Sequence, residues 1–365
     1  MSENFSGKDY EEYFKSLEKN LQSNEKINNR EKPRKKTKNK SVFKVIRLRK
    51  SFLFFVAVVM AVIIGVITIP SGKTKKTDDS LDIDNTVSQV EEQTPTEIKY
   101  VFGEKVADLP AENDARCGIV INTTTNKVVA ARNAHEKAYP ASTTKIMTLL
   151  IAVENIKDMN KTFTMTLDIT DPLFVAEASV AGFLNGEKVT MTDLLYGAIL
   201  PSGADASMAL ALTVSESEEA FVELMNKKVK SLGLKNTHFD NVTGLHSVNN
   251  YSTAHDMAVI LNAAMNNETC RKILSTYQHT TAITPQHPEG ILLSSTLFSY
   301  MYGTEPETAT ILGGKTGFVN ESGYCIASFG KSNDTNNEYI AVTLGNSARW
   351  PAFYGQIDLY KALAK

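Results

Sequence analysis

The sequence predicts an α+β domain: an antiparallel sheet of about five strands built from both ends of the domain around a helical middle, preceded by a single transmembrane helix. Three observations predict it. Short β-type runs open and close the stretch 105–365, helical periodicity fills the space between them, and an uncharged, mostly apolar run at 52–67 stands well upstream. Strands, then helices, then strands again is the order of an α+β domain whose sheet joins distant parts of the chain.

Within the domain, 116–122 and 127–132 are β-type runs on either side of Asn122-Thr-Thr-Thr-Asn126, a hairpin signal. Ser142 opens a helical run to about Ile156. Further helices are predicted at 191–199, 204–214 and 218–232. The runs 311–316, 324–329 and 339–344 read as strands, the last two joined by the polar turn 331–337, and a final helix is predicted from about Ala352 to Ala364. No internal repeat is present.

Upstream, the run 52–69 would span about 27 Å as a helix, close to the hydrocarbon thickness of a bilayer. It lacks the polar face of a core helix, and no A-x-A-like site follows at 69–73 as a cleaved signal peptide would need. Residues 51–70 therefore read as an uncleaved anchor. Net charge is −2, from 39 basic and 41 acidic residues, which speaks against a nucleic-acid binder with a basic surface. The charges are segregated, however: 26–50 holds twelve Lys or Arg and one Glu, while 51–365 carries −10. The positive-inside bias then puts 1–50 in the cytoplasm as a largely disordered basic arm, and everything after Pro70 outside. In that arm Tyr10, Tyr13, Phe14, Leu17 and Leu21 recur at helical spacing, a short amphipathic stretch. Residues 71–104, rich in Thr, Asp, Glu, Ser and Lys, read as an extracytoplasmic linker, and 105–365 as the catalytic domain.

Three short motifs carry chemistry. Ser142 and Lys145, at i and i+3 of a helix start, share a face, so the amine can reach the hydroxyl. If desolvation or neighbouring positive charge lowers the lysine pKa, Lys145 can take the proton of Ser142 and make it a nucleophile. Ser202-Gly203-Ala204 follows an apolar run and Pro201. Lys315-Thr316-Gly317 closes a strand, where the lysine offers positive potential to a substrate carboxylate and Gly317 admits a close backbone. Each motif alone has a bland reading: a helix cap followed by a surface lysine, a loop serine, an edge-strand lysine. In this order and on these elements, all three bland readings would have to hold by coincidence.

With their surroundings these motifs resemble the serine D-alanyl-D-alanine carboxypeptidases, low-molecular-mass penicillin-binding proteins with a β-lactamase-like fold. The resemblance covers roughly 105–365. It is carried by Tyr139-Pro-Ala-Ser-Thr-Thr-Lys-Ile-Met-Thr148, by Leu194 to Ala206 around the second motif, by Asn241-Val-Thr-Gly-Leu-His246 with Tyr251-Ser-Thr-Ala-His-Asp-Met-Ala258, and by Gly314 to Cys325. It implies that Ser142 attacks the carbonyl between the last two D-alanines of a peptidoglycan stem peptide, with Lys145 as general base and Ser202 relaying a proton to the leaving amine. Lys315 and Thr316 would hold the terminal carboxylate, and the N–H groups of Ser142 and Phe318 would form the oxyanion hole. β-Lactams would acylate the same serine, and no cofactor or metal is expected.

Two departures stand out. Ala204 occupies the place where the family has Asn, so it can neither hydrogen-bond the substrate amide nor hold Lys145; an active but altered enzyme is expected. No Arg or Lys lies between Lys272 and Lys315, so carboxylate recognition falls to Lys315 or to a more distant residue such as Arg349. A β-lactamase would need a placed base for deacylation, and no E-x-x-L-N is present: Glu177 is followed by Ala-Ser-Val. A D,D-endopeptidase, and a catalytically weakened scaffold protein of the same fold, are the other readings. The six histidines are scattered rather than grouped as zinc ligands. Cys117 and Cys325 would lie two strand spacings apart in the related fold, so no disulfide is expected.

Overall fold

The computed structural model describes residues 100–301, 303–304 and 306–363. The basic arm 1–50, the anchor 51–70 and nearly all of the linker 71–104 lie outside these residues. Among the described residues no helix is long and apolar enough to cross a membrane.

In chain order, β1 (Val101–Ala107), β2 (Cys117–Asn122) and β3 (Lys127–Arg132) lead through a 3-10 turn (Ala141–Thr144) into α1 (Lys145–Asn155). A largely helical middle follows: β4 (Thr162–Thr164), α2 (Leu167–Val175), β5 (Lys188–Thr190), α3 (Met191–Ile199), α4 (Ala204–Val214), α5 (Glu218–Ser231), α6 (Ala254–Met265) and α7 (Glu268–Leu274). The short pair β6 (Gln278–Thr280) and β7 (Leu292–Ser294) precedes α8 (Thr296–Met301). The chain then returns through β8 (Ala309–Val319), β9 (Gly323–Ser332) and β10 (Glu338–Asn346) and ends in α9 (Arg349–Leu363).

The main sheet runs β1-β3-β2-β10-β9-β8, so both ends of the domain meet where β10 pairs with β2, from Tyr339↔Asn122 to Leu344↔Cys117. Its strands alternate between two cores. Ile119, Ile121, Ile340 and Val342 face the helical middle, whereas Val120, Ile326 and Ala341 pack with Phe353, Ile357 and Tyr360 of α9. Helices on both faces explain why β2 is buried along its whole length and reads as a continuous apolar run. Side-chain caps fix several helix starts: Thr190 accepts from Asp193 N–H, Ser217 from Ala220 N–H, Thr253 from Asp256 N–H and Asn267 from Cys270 N–H.

The expectation of about five strands, all antiparallel, is corrected to six, one of them parallel. β1 lies beside β3 in parallel and begins at Val101, inside the stretch read as linker. Its sequence, Val-Phe-Gly-Glu-Lys-Val-Ala, has no regular alternation, and Val101 and Phe102 stay exposed at the sheet edge. Pairing of this kind comes from a distant partner and leaves little local pattern. β10 lies between β2 and β9, which separates Cys117 from Cys325, and all three cysteines are free.

Candidate active site

Ser142 sits in the 3-10 turn that feeds α1. The turn is tightly held: Ala141 has a left-handed φ of 47°, and Gly244 (φ 77°) packs against the carbonyl of Ala141 so closely that no side chain would fit. A left-handed non-glycine residue beside the nucleophile is local strain that the surrounding packing must hold in place.

Lys145, the first residue of α1, is buried to 2% exposure. Its Nζ donates to Ser142 Oγ at 3.1 Å and to the carbonyl oxygen of Thr243 at 2.5 Å. Burial lowers its pKa from 10.5 to about 7, against the opposing pull of the Asp205 carboxylate. Near neutrality the amine can therefore be unprotonated while lying within hydrogen-bond reach of the serine.

The Thr243 carbonyl is aimed by a small cradle. Asn241 Oδ1 accepts from Thr243 N–H, Thr243 Oγ1 and Gly244 N–H, at 3.1, 3.1 and 2.7 Å. Asn241 Nδ2 donates to Leu245 O at 3.0 Å. Thr148 Oγ1 of α1 donates to Val242 O at 2.7 Å and Val242 N–H donates to Glu218 at 3.0 Å, tying the loop to two helices.

Ser202, also at left-handed φ (67°), is buried just ahead of α4. Gly203 beside it has no room for a Cβ: one would stand 2.7 Å from Gly197 O and 2.8 Å from Ala181 N. Ala204 is buried and its N–H donates to Ser179 O at 2.8 Å. The Asp205 carboxylate accepts from the N–H groups of Ala181, Gly182 and Phe183 at 2.7, 3.1 and 3.3 Å, and from that of Ala206 at 2.9 Å. The loop 178–184 and the second motif are thus bolted into one wall.

The opposite wall is β8. A Cβ on Gly317 would stand 2.9 Å from the Ser142 nitrogen and 3.0 Å from that of Thr143, so only glycine lets strand and turn approach this closely. Lys315 is buried, and its Nζ donates to Thr316 O at 2.8 Å. Burial, and then the nearby charge of Lys145, push its pKa well below the ordinary lysine value. Thr316 Oγ1 shares a 2.7 Å hydrogen bond with Thr296 Oγ1 at the start of α8.

Ser142, Ser202, Thr316, Gly317 and Phe318 line one groove of about 220 Å³, together with Ser179, Thr296, Tyr300 and Arg349. Lys145 and Lys315 lie buried beside it. The Arg349 guanidinium stands over the Tyr300 ring at 5.0 Å. Among the described residues no group of His, Cys, Asp and Glu is arranged to hold a metal ion.

Of the residues around the groove, Ser179, Thr296, Tyr300, Asp205 and the Asn241–Thr243 pair were given no role by motif reading. Only Asn241 carried a local signal, an Asn opening an Asn-x-Thr-Gly turn where its side chain can bond the backbone two residues on. The others arrive through tertiary contacts.

Comparison with known proteins places this geometry in context. Residues 104–348 match the family described as D-alanyl-D-alanine carboxypeptidase, Peptidase_S11. The D-alanyl-D-alanine carboxypeptidase DacF of Bacillus subtilis is 36% identical over 251 residues, covering 67% of this chain and 60% of that relative's length. A Streptomyces sp. (strain K15) D-alanyl-D-alanine carboxypeptidase is 31% identical over 217 residues, 57% of this chain and 74% of the relative. The crystal structure of the Streptomyces K15 DD-transpeptidase superposes with a TM-score of 0.61 at 29% identity, covering 70% of this chain and 99% of that one.

Proposed function

Because the chain belongs to the D-alanyl-D-alanine carboxypeptidase family, we propose that it removes the terminal D-alanine from peptidoglycan stem pentapeptides through an acyl-enzyme on Ser142. The observation that carries the proposal is the Lys145 amine, brought down to about pKa 7 and held 3.1 Å from Ser142 Oγ. In the first step Lys145 takes the hydroxyl proton as Ser142 Oγ bonds to the carbonyl carbon of the penultimate D-alanine. The N–H groups of Ser142 and Phe318 receive the oxyanion. Collapse breaks the C–N bond, and the departing amine takes its proton from Lys145 by way of Ser202. Water, deprotonated by the Lys145 amine, then attacks the ester carbonyl; collapse breaks the C–O bond to Ser142, whose Oγ takes the proton back from Lys145.

Thr316, oriented by Thr296, and Arg349 are the groups for the terminal carboxylate. The buried Lys315 supports them, because an incoming carboxylate favours its protonated form and so restores the positive charge that burial opposes. With Ala204 in the second motif, Thr243 O takes up the task of holding Lys145. β-Lactams, with an amide carbonyl and a carboxylate in similar relation, would acylate Ser142. The same proposal includes anchoring by residues 51–70, with residues 1–50 cytoplasmic and the catalytic domain extracytoplasmic.

Weighing the full-length protein after incubation with benzylpenicillin tests the mechanism: one adduct on Ser142, absent from Ser142→Ala, is expected, and an unmodified mass would overturn it. D-Alanine release from a pentapeptide, set against cleavage of a cross-linked dimer, separates carboxypeptidase from endopeptidase. A second reading, transfer of the acyl group to an amine instead of water, is favoured by the Streptomyces K15 protein, whose structure bears the name DD-transpeptidase. An aminolysis product formed with added glycine would support it.

A further inference from the structure

The outer face of α9 carries a row of groups that the reaction at Ser142 does not use. Trp350, Tyr354, Asp358 and Lys361 stand at i, i+4, i+8 and i+11 of the helix, so they share one side of it. Phe353 and Tyr360, turned the other way, pack with Val120 and Ile326 of the sheet. The two rings of the row are each 50% exposed, lie nearly parallel at 24°, and have centroids 6.0 Å apart. Lys361 Nζ pairs with Asp358 Oδ1 at 3.3 Å. Tyr354 is also a wall of a cavity of about 530 Å³, with Thr308, Ile357, Asp358 and Lys361 among its lining residues.

Ring contacts join this row to the catalytic groove. Tyr300 lines the groove with Ser142 and Thr316, and its ring meets that of Trp350 edge-on at 5.8 Å. Arg349, over the same Tyr300 ring, is the residue just before Trp350. Groove, Tyr300, Trp350, Tyr354 and cavity thus follow one another ring to ring.

The chemistry of the row selects its ligand. A protein partner would favour an apolar centre depleted of charge, whereas half of this row is charged. A nucleic acid could stack on the rings, but its phosphates would meet the carboxylates of Asp358 and Glu307, which also lines the cavity. A neutral sugar suits both halves. The C–H face of a pyranose, slightly positive, lies against the negative face of an aromatic ring. Its hydroxyls donate to a carboxylate, and an acetamide carbonyl accepts from an ammonium or a threonine hydroxyl. An aromatic wall with a few convergent polar groups is the usual make-up of a small-ligand site.

We propose that the outer face of α9 and the cavity beside Tyr354 bind a strand of N-acetylhexosamine sugars, the polysaccharide that carries the stem peptides. The identity of the ligand rests on the stem-peptide reading above, to which the site adds a second point of attachment. That reading puts the terminal carboxylate at Thr316 and Arg349, at the end of the groove where α9 begins. A stem peptide bound for cleavage therefore leads away from α9 toward its own glycan, and the strand on α9 is a neighbouring one. The site tethers the enzyme to assembled wall without touching the scissile bond, and its benefit is a raised effective concentration of stem peptides.

Trp350 is the only tryptophan of the chain, so its fluorescence reports on the site. Titrating the full-length protein with chitotetraose, a peptide-free N-acetylglucosamine oligomer, is expected to change that emission saturably. Tyr354→Ala removes an exposed ring and leaves the core intact; it should weaken binding about tenfold, the loss of one ring contact. D-Alanine release gives an independent reading. On sacculi containing pentapeptides the rate of Tyr354→Ala should fall several-fold, while its rates with a soluble pentapeptide and with benzylpenicillin stay as in wild type. Failure of wild type to respond to chitotetraose, or equal release from sacculi by wild type and Tyr354→Ala, would overturn the site. An equal loss on the soluble pentapeptide would overturn it too, because Tyr354 would then act through the groove. Benzylpenicillin acylation without a chitotetraose response overturns the glycan site alone. A chitotetraose response with no acylation and no D-alanine release overturns the proposed function and leaves the sugar site standing.

Discussion

Lys145 Nζ donates a 2.5 Å hydrogen bond to the carbonyl oxygen of Thr243, a residue 98 positions further along the chain. A backbone carbonyl needs no particular side chain at its own position, but it must be aimed, and Asn241 does the aiming through three accepted hydrogen bonds. The amine is thereby kept on Ser142 even though Ala204 offers no polar group.

Asn241→Ala is accordingly expected to slow acylation of Ser142 about tenfold to hundredfold, the cost of losing about 1–3 kcal/mol of buried hydrogen bonding. Asn241→Asp keeps the accepting oxygen but loses the donor to Leu245 O, and should recover only part of the rate. Stopped-flow acylation by a chromogenic cephalosporin reads both. Equal rates in wild type and Asn241→Ala would remove the positioning role.

The depressed pKa of Lys145 fixes the sign of the pH dependence. Below about 7 the amine is protonated and cannot accept the serine proton; above it the neutral form prevails. The acylation rate should therefore rise about tenfold per pH unit below neutrality and level off above it. Lys145→Arg, charged at every accessible pH, should lose the activity. The same shift acts on stability: between about 7 and 10.5 the unfolded chain holds a proton on this lysine that the folded chain does not, so its contribution to unfolding free energy rises with pH across that window. A flat acylation profile from pH 5 to 9 would contradict the assignment of the base.

Gly317→Ala tests the close approach of β8 to the nucleophile turn. The added methyl would press on the backbone nitrogens of Ser142 and Thr143. Displacing strand or turn is expected to cost about 1–3 kcal/mol of stability and to slow acylation at least tenfold, because the two N–H groups proposed to receive the oxyanion, those of Ser142 and Phe318, belong to the turn and the strand. Thermal denaturation and penicillin acylation measure the two effects separately.

Arg349 lines the groove near Thr316, over the Tyr300 ring. Arg349→Ala should raise KM for a D-Ala-D-Ala peptide about tenfold with a smaller change in kcat, as expected when an interaction with bound substrate is lost. A peptide amidated at its C-terminus should be a poor substrate for wild type, and Arg349→Ala should add little to that loss. A full additional tenfold on the amide would place Arg349 elsewhere in the reaction.

Anchoring by residues 51–70 predicts that the full-length protein stays with membranes after alkaline carbonate washing, whereas a chain lacking residues 1–70 is released. Release of the full-length protein would argue against the anchor.

The strands and helices with the strongest local patterns were legible in the sequence. Met191–Ile199 and Ala204–Val214 were predicted to the residue, and the hairpin across Asn122–Asn126 and the three closing strands lie within a few residues of their places. Ser142, Ser202, Thr316, Gly317 and Phe318, picked out as motifs, do line one groove, because short motifs keep their chemistry within a turn of helix or a strand end. β1 was missed because an edge strand paired in parallel takes its conformation from a neighbour twenty-odd residues away, leaving little alternation of its own.

The sequence by itself determined which side chains could react and on which elements they ride. Only the tertiary structure decided how those side chains are tuned and held. The pKa of Lys145 follows from its burial in the folded chain, opposed by the charge of Asp205, and its partner at Thr243 is a backbone atom that no motif can name. Burial and backbone direction are properties of how distant segments close on one another, so a linear pattern specifies them only through the fold.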